Sequence, residues 1–455
     1  MSKYIVGLDI GTTKIACFIG ERAEKGKIRI VGFGKTESVG VERGAVRNIR
    51  STTDSIRRAV AEASEMAKYD VEEVYVGVAG QFIRSRSNQG SVMIPDDHRL
   101  IEKSDVDHLI EDQYRIMLGP GEEIIHVFPQ NYIVDNEVLE PDIDPVGVAG
   151  KCLMANFHIV TGDTNNIRNV RDAVADAGLR IKGMVLEPIA SAYAVLDSNE
   201  KAAGVALVDI GGGTTDIAIF QEGIIRHTSV LPLAGNAITN DIRDNCKILK
   251  HQAESLKIRF GSCLPANVNQ DDIIAIPGIR NSDPREIYVK TLATIINARM
   301  RIILEQVHFE IQSSGFERQL LGGVVLTGGG ARLKHIKEYA ELIIGIDTRI
   351  GTPEEHVDKQ NSTCFEDISH PMYATGVGLV VYGILDTESK LQNAAEQAPA
   401  PEPAAQPAPE PEPEPDKKAK HDKTKKKSAT SEARNLGKVI TDWLTRNFTE
   451  DGLDE

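Results

Sequence analysis

A glycine-rich turn between two apolar strands carries residue types that bind a phosphate and a cation. The stretch from Val205 to Phe220 reads as a buried strand, three consecutive glycines and a returning strand. Glycines let backbone N–H groups approach an anion closely, and Thr214 and Thr215 add hydroxyl donors. Asp209 stands at the end of the first strand, where it could hold a hydrated cation. The alternative is a glycine-rich hairpin that binds nothing.

A second copy of this pattern lies about 200 residues earlier in the chain, beginning at Val6. It has the same order of strand, aspartate, glycine, two threonines and returning strand. Asp9 matches Asp209, and Thr12-Thr13 matches Thr214-Thr215. An internal repeat of this kind indicates two related halves. Two such hairpins facing each other across a cleft could hold one polyphosphate from both sides, which disfavours the interpretation without a ligand.

Composition sets limits on the class of protein. A chain of 455 residues has room for two or three domains, and its net charge of −15 argues against nucleic acid as a partner. The five cysteines lack CxxC spacing and fit reduced cytosolic thiols. The first core strand follows directly after Met1-Ser-Lys-Tyr, so we expect no signal peptide. No apolar run reaches the roughly eighteen residues of a spanning helix, and we expect a cytosolic body.

The chain between the two hairpins predicts an extra subdomain. A buried strand over Val74–Ala79 is followed, from about residue 81 to 161, by a separate pattern of strands around a helix (Ser104–Met117). We interpret this stretch as an inserted α+β subdomain. Two helices with small faces, Glu187–Leu196 and Met372–Tyr382, are predicted to cross closely as a hinge between the halves.

Two later motifs could contact the rest of a nucleotide. Glu254 and Lys257 lie three residues apart on one helical face, where a surface ion pair is the alternative interpretation. The segment Gly323–Arg332 is a strand that runs into a glycine turn at the start of a helix. Flat glycine backbone beside a helix start suits a purine ring and an α-phosphate, and a simple strand-to-helix turn is equally compatible with the pattern.

The C-terminal region has a different composition. Residues 399–415 contain eight prolines and cannot pack a core. Residues 417–446 hold ten Lys/Arg against three acids, a local net charge of +7. The spacing then predicts a basic amphipathic helix. Its apolar stripe is Leu436, Val439, Ile440, Trp443, Leu444 and Phe448, with Lys438 and Arg446 among the flanking cations. This pattern favours adsorption to an anionic membrane face over docking in a protein groove.

Taken together, these motifs resemble the FtsA family of actin-like bacterial division proteins, within the actin/Hsp70/sugar-kinase ATPase superfamily. The resemblance rests on the two hairpins, the run VVLTGGGARL, the segments GNAITNDI and AESLK, and the C-terminal helix. The insertion, with IHVFPQNYIV and DPVG, lies where that family carries its inserted subdomain. The resemblance covers roughly residues 4–385 and 434–448.

The resemblance implies ATP and Mg²⁺ in a cleft between the halves, with weak hydrolysis and a switching role for the nucleotide. Asp9 and Asp209 would hold Mg²⁺ through water, and Glu187 would orient an attacking water. The implied nucleotide contacts are Gly11, Thr12, Thr13, Lys14, Gly212, Gly213, Thr214, Thr215, Gly235, Glu254, Lys257, Gly328, Gly329, Gly330 and Arg332.

We therefore expect an α/β, actin-like two-domain ATPase fold with an inserted α+β subdomain, a disordered linker and a C-terminal amphipathic helix. The expected boundaries are 1–82 for the first subdomain, 83–162 for the insertion, 163–389 for the rest of the body, 390–433 for the linker and 434–450 for the helix.

The implied function is an adaptor that polymerises and tethers the FtsZ ring to the cytoplasmic face of the inner membrane at the division site. Its partners would be the FtsZ C-terminal tail, further copies of itself, anionic lipids and other division proteins. Arg299 and Arg301, on a helix predicted from Arg285 to Ser313, would receive the FtsZ tail. The alternatives are a PilM-like pilus assembly protein and a sugar-kinase-type phosphotransferase.

Overall fold

A computed structural model describes residues 4–23, 26–94, 100–141, 143–277 and 284–396, with side chains up to Leu391. The rest of the predicted linker and the predicted amphipathic helix over 434–450 lie outside the described residues. The chain divides into two units, Met1–Leu385 and Asp386–Glu455. Within the part described, no helix combines the length and apolarity needed to cross a membrane.

The secondary structure alternates between strands and helices along the first unit. The strands are β1 (Ile5–Ile10), β2 (Lys14–Arg22), β3 (Ile28–Glu37), β4 (Val41–Glu42), β5 (Ala45–Val46), β6 (Glu73–Val78), β7 (Ile83–Met93), β8 (Glu122–Val134), β9 (Glu137–Val138), β10 (Cys152–Asp163), β11 (Arg180–Leu186), β12 (Val205–Ile210), β13 (Thr215–Gln221), β14 (Ile224–Leu231), β15 (Ile273–Ile276), β16 (Arg285–Tyr288), β17 (Val324–Thr327) and β18 (Thr348–Ile350). The α-helices are α1 (Ile49–Ala67), α2 (Lys103–Gln113), α3 (Thr164–Asp176), α4 (Glu187–Val195), α5 (Ser198–Ala203), α6 (Gly235–Cys246), α7 (Lys250–Phe260), α8 (Val289–Ser313), α9 (Ile336–Ile344), α10 (Phe365–Ile368) and α11 (Ala374–Glu396).

Two sheets of the same topology form the two halves of the body. The first has the order β11-β6-β1-β2-β3 and the second the order β18-β17-β12-β13-β14. In each, the predicted hairpin supplies two central antiparallel strands, and a parallel strand joins on the other side of the first strand. Strands β1 and β12 are buried along their whole length, as expected for central strands covered on both faces. The internal repeat predicted from the sequence is therefore a repeat of the fold.

The insertion forms its own small sheet with the order β7-β10-β8-β9, packed against α2. Its core is built by buried side chains that include Leu109, Leu153 and Phe157. The subdomain also contacts β14 of the second half: Gln130 Nε2 donates to the Ile225 carbonyl at 2.8 Å, and Ser85 Oγ donates to the Thr228 carbonyl at 3.2 Å. The inserted α+β subdomain is confirmed, and it packs on both halves.

Helices α4 and α11 cross closely, as their small faces predicted. A Cβ added at Gly378 would lie 1.8 Å from the Ala190 carbonyl oxygen, so only glycine fits at this contact. Helix α11 continues to Glu396, so it includes residues 390–396 of the segment predicted to be linker. The hinge role of this crossing stays a prediction.

The long helix of the second half begins later than the sequence indicated. Residues Arg285–Tyr288 form strand β16, which pairs with β15 in an antiparallel hairpin, and α8 starts at Val289. Ile287 is buried in that hairpin, and its pairing partner could not be read from the helical pattern that follows. The predicted start at Arg285 is therefore wrong by one short strand.

Candidate functional site

A cleft of about 840 Å³ lies between the two halves, and it brings together segments that are far apart in the chain. Its walls come from hairpin one, hairpin two, the start of α6, one face of α7 and the glycine turn after β17. The predicted site residues that line it are Thr12, Thr13, Lys14, Gly212, Gly235, Glu254, Lys257, Gly329, Gly330 and Arg332. The other predicted residues are not among its lining residues: Gly11, Gly213, Thr214, Thr215, Gly328, Asp9, Asp209 and Glu187.

The glycine turns of the two halves contact each other at the end of the cleft. A Cβ at Gly213 would lie 2.4 Å from Thr12 Oγ1, and a Cβ at Gly212 would lie 2.3 Å from Thr13 Cγ2. Thr12 Oγ1 accepts a hydrogen bond from the Gly44 N–H at 3.0 Å, whereas the neighbouring Thr13 is exposed to the cleft. Glycine is required at this junction because any side chain would separate the two halves.

The two predicted threonine donors of hairpin two bond within the protein. Thr214 Oγ1 donates to Asp216 at 2.9 Å, and Thr215 Oγ1 donates to the Leu233 carbonyl at 2.7 Å. Both threonines are buried. The two hairpins therefore differ: the first presents a threonine hydroxyl to the cleft, and the second presents glycine backbone.

The three glycines after β17 have three different environments. Gly328 has φ +83°, and a Cβ there would lie 2.2 Å from Asp209 Oδ1. A Cβ at Gly330 would lie 2.4 Å from Ile210 Cγ2, whereas a Cβ at Gly329 would meet nothing within 4 Å. A short 3₁₀ turn (Gly330–Arg332) follows, and the α-helix begins only at Ile336, which corrects the predicted direct passage from glycine turn to helix. Gly329 is the glycine whose surface is open to the cleft.

Glu254 and Lys257 form an ion pair in the wall of the cleft. Lys257 Nζ lies 2.9 Å from Glu254 Oε2 and 2.9 Å from Thr239 Oγ1, and it donates to the Gly235 carbonyl at 3.1 Å. Burial lowers the pKa of Lys257, and the neighbouring Glu254 carboxylate partly offsets this effect. The lysine side chain is only 12% exposed, so the pair is a fixed part of the cleft.

Four acidic side chains gather beneath the glycine turns: Asp9, Asp209, Asp216 and Glu187. Asp209 Oδ2 accepts hydrogen bonds from Ser191 Oγ at 2.8 Å and from Thr375 Oγ1 at 3.3 Å. Lys14 Nζ lies 3.6 Å from Asp9 Oδ2. Asp216 Oδ1 is buried and has no hydrogen-bond partner within the described residues. We name this group the acidic floor.

Burial raises the pKa values of all four carboxyl groups, and repulsion from neighbouring acids adds to the shifts of Asp209, Asp216 and Glu187. Burial raises the pKa of Asp9 and that of Asp209, while Lys14 opposes both shifts. Burial, together with the Asp209 charge, raises the pKa of Asp216 to about 8. Burial and the charges of Asp9, Asp216 and Asp209 raise the pKa of Glu187 well above its usual value. The acidic floor therefore favours any added positive charge.

The acidic floor has the chemistry of a divalent-cation site that works through water. A buried carboxylate oxygen without a partner and the repulsion among the acids both fit Mg²⁺, which prefers oxygen ligands and keeps several waters. Among the described residues, no three His, Cys, Asp or Glu side chains are placed to hold a metal directly. The residues present thus fit a hydrated ion better than a site made only of protein ligands.

Sequence reasoning missed Asp216, Ser191 and Thr375 at this site. Asp216 directly follows Thr214-Thr215 in the hairpin and lies opposite Asp209 in the strand register. Its position after the threonine pair is a signal that could have been used. Ser191 and Thr375 come from α4 and α11, so only the crossing of those helices brings them to Asp209.

Arg299 and Arg301 lie on α8 and are already paired with carboxylates. Arg299 forms a bidentate interaction with Asp241 of α6, at 2.6 and 3.0 Å. Arg301 Nε lies 2.8 Å from Glu305, one helical turn away, and both side chains are largely exposed. An acidic ligand at these arginines would share or displace these partners.

The fold and the cleft define a class of protein, an ATPase-type fold of the actin-like kind with a subdomain inserted in its first half. The chain has a TM-score of 0.60 with a structure described as the PilM-PilN type IV pilus biogenesis complex, at 16% identity, covering 84% of this chain and 98% of that chain. Residues 163–229 match the family model described as Hsp70 protein. At this low identity the likeness to PilM concerns the fold alone.

Two family models and two relatives identify the family. Residues 206–378 match the model described as Cell division protein FtsA, and residues 80–161 match that of the SHS2 domain inserted in FTSA. Cell division protein FtsA of Pseudomonas aeruginosa is 38% identical over 382 residues, which is 84% of this chain and 89% of the relative. FtsA of Escherichia coli strain K12 is 33% identical over 402 residues, 87% and 93% of the two chains. This chain belongs to the FtsA family of cell division proteins.

Proposed function

We propose that this chain binds Mg²⁺·ATP in the cleft and uses the nucleotide as a conformational switch in cell division. The observation that supports this most strongly is the meeting of two glycine turns, one from each half, above the acidic floor. Lys14 and Thr13 would contact the phosphates from the first half, and the Gly212 backbone from the second. The ion pair of Glu254 and Lys257 would face the ribose, and the turn at Gly329 would pack against the adenosine.

Mg²⁺ would neutralise charge on the phosphates. Asp9 and Asp209 would orient its waters, and Ser191 and Thr375 would hold the Asp209 carboxylate in place through their hydrogen bonds. Glu187 would orient a water near the terminal phosphate. Because burial and repulsion raise the pKa of Glu187, the protein without a cation favours the protonated form of this side chain. That form is a poor proton acceptor, so Glu187 would assist hydrolysis only where a bound cation favours its ionised form.

Calorimetry with ATP and Mg²⁺ tests the nucleotide site. Asp209→Ala should abolish most of the affinity because a buried carboxylate of the acidic floor is lost. Ser191 and Thr375 can still bond to each other, since their hydroxyl oxygens are 3.0 Å apart, so the fold should persist. Asp241→Ala, on α6 outside the cleft, is the matched control. Unchanged ATP affinity in Asp209→Ala would contradict the site.

We further propose that the chain tethers the FtsZ ring to the inner membrane and assembles with copies of itself. Membership of the FtsA family supports a role at the division site. The basic stretch over 417–446 and the apolar stripe from Leu436 to Phe448 support adsorption to anionic lipid. Filaments that present many such helices would bind far more strongly than one helix, through avidity.

Trp443 is the one tryptophan of the sequence, so its fluorescence reports on the C-terminal segment alone. Vesicles containing anionic lipid should shift its emission to shorter wavelength, vesicles of neutral lipid should shift it little, and high salt should weaken the effect. Burial of Trp443 contributes about 2 kcal/mol, so Trp443→Glu should release the protein from vesicles in sedimentation. A full emission shift without lipid would show docking on protein and exclude the membrane tether.

The FtsZ tail contact is tested by reversing charge on α8. Arg299→Glu together with Arg301→Glu should weaken binding of an acidic FtsZ tail peptide and leave ATP binding unchanged. Arg115→Glu is the matched control, because Arg115 is also an exposed arginine paired with a glutamate four residues away, here Glu111, although Arg115 itself lies in the turn after α2. Equal peptide affinity in the double variant and the control would contradict the assignment.

A further inference from the structure

His126 makes a hydrogen bond that links the inserted subdomain to the nucleotide cleft. It lies on β8, in the run IHVFPQNYIV, and the backbone N–H of Leu186 donates to its Nε2 at 3.1 Å. The His126 ring also lies 5.3 Å from the ring of Phe128, measured between centroids. The partner of His126 therefore belongs to the first half of the body and not to the subdomain that carries the histidine.

Leu186 lies at the junction between a strand of the first half and the helix that carries Glu187. It ends β11 and immediately precedes Glu187, the first residue of α4. Leu186 occupies the cap position of that helix, where no side chain supplies a capping hydrogen bond. The next turn of α4 carries Ser191, which donates to Asp209 of the acidic floor. The bond from Leu186 to His126 thus fixes the entry to a helix that carries one member of the acidic floor, Glu187, and one hydrogen-bond donor to that floor, Ser191.

The protonation state of the His126 ring allows Nε2 to accept a hydrogen bond. Burial lowers the pKa of His126 to about 4, so the ring is neutral at pH 7 and Nε2 can accept the Leu186 N–H. His158 lies opposite Phe128 on the neighbouring strand β10, with a ring separation of 6.5 Å, and its Nε2 lies 2.9 Å from Thr228 Oγ1 of the second half. The same subdomain therefore contains two histidines with low pKa values, of which one contacts the residue before Glu187.

We propose that His126 is a positioning residue that couples the inserted subdomain to the nucleotide site by holding the start of α4, and with it Glu187 of the acidic floor. This inference rests on the proposed nucleotide site. Coupling of two sites is reciprocal, so nucleotide binding must alter the surroundings of β8, and a ligand on the subdomain must alter nucleotide binding. The subdomain would thereby sense whether the cleft is occupied.

Hydrogen–deuterium exchange of the full chain, with and without Mg²⁺·ATP, tests the coupling without requiring hydrolysis. His126→Leu removes the acceptor while keeping an apolar contact with Phe128, and His126→Gln replaces it with an amide oxygen of similar reach. His158→Leu is the matched control, because it removes the other histidine packed on Phe128. Calorimetry on the same proteins measures ATP affinity separately.

We expect the Leu186 amide to exchange about five to ten times faster in His126→Leu than in the wild type, and near the wild-type rate in His126→Gln. ATP should change exchange over residues 124–128 in the wild type and in His158→Leu. It should not do so in His126→Leu, although that variant should still bind ATP with an affinity within about threefold of the wild type.

Each other outcome overturns the proposal in a recognisable way. If ATP changes exchange over residues 124–128 equally in His126→Leu and the wild type, His126 is not the link. If His158→Leu loses the response as His126→Leu does, the response reflects general loosening of the subdomain. If the wild type binds no ATP in calorimetry, the proposed nucleotide site is wrong, and the proposed coupling, which rests on it, is wrong as well.

Discussion

Substitution of Gly329 separates the stability of the fold from the binding of a ligand. Gly329 has φ −64° and ψ −31°, which alanine adopts without strain, and an added Cβ would meet nothing within 4 Å. Gly329→Ala should therefore leave the folded protein intact. Reduced freedom of the unfolded chain should even stabilise it by about 0.4–1 kcal/mol.

The same methyl group should weaken ATP binding if the adenosine packs on this turn. Overpacking by one methyl costs about 1–3 kcal/mol, which corresponds to an increase in Kd of about five- to 150-fold. The matched control is Gly330→Ala, because there the added Cβ would lie 2.4 Å from Ile210 Cγ2. That variant should lose about 1–3 kcal/mol of stability.

Urea unfolding and calorimetry with Mg²⁺·ATP provide the two measurements. The expected pattern is a normal or slightly raised unfolding midpoint with weakened ATP binding for Gly329→Ala, and a lowered midpoint for Gly330→Ala. If Gly329→Ala binds ATP as tightly as the wild type, the nucleotide does not pack on this turn. A clear loss of stability in Gly329→Ala would contradict the open environment of that glycine.

Two further predictions concern packing and pH. Gly378→Ala places a Cβ 1.8 Å from the Ala190 carbonyl oxygen, so it should destabilise the fold by about 1–3 kcal/mol, measured by urea unfolding. An unchanged unfolding midpoint would contradict the close crossing of α4 and α11. Burial and Asp209 raise the pKa of Asp216 from 3.8 to about 8, so the folded protein holds a proton that the unfolded chain releases between these values. The free energy of unfolding without nucleotide should therefore fall as pH rises from 5.5 to 7.5, and it should fall less in Asp216→Asn. Equal pH dependence in both proteins would show that the Asp216 carboxyl is not the cause.

The local sequence pattern was sufficient to predict those parts of the fold that depend on residues close together in the chain. The two hairpins were readable because an apolar strand, an aspartate and a glycine turn form a unit within about a dozen residues. The inserted subdomain was readable because its own apolar pattern interrupts the repeat. The close crossing of α4 and α11 followed from their small residues, and Gly378 is the position where no Cβ fits.

The contacts of individual side chains depended on elements far apart in the chain. Thr214 and Thr215 carry hydroxyl groups that could donate to a phosphate. In the fold, these hydroxyls donate instead to Asp216 and to the Leu233 carbonyl. Arg285–Tyr288 forms a strand because it pairs with β15. The periodicity of the sequence does not show which segment will lie beside it.

The acidic floor and the link through His126 were decided by the tertiary structure alone. The repulsion that raises the pKa of Glu187 comes from Asp9, Asp216 and Asp209, which reach it from both halves. The bond from Leu186 to His126 joins residues 60 positions apart in the chain. The sequence by itself determined which residues carry groups suited to phosphate and where the repeat and the insertion lie, because those features depend on near neighbours. Only the folded chain decided which of these groups face the cleft, because burial and charge repulsion depend on distances that sequence spacing does not contain.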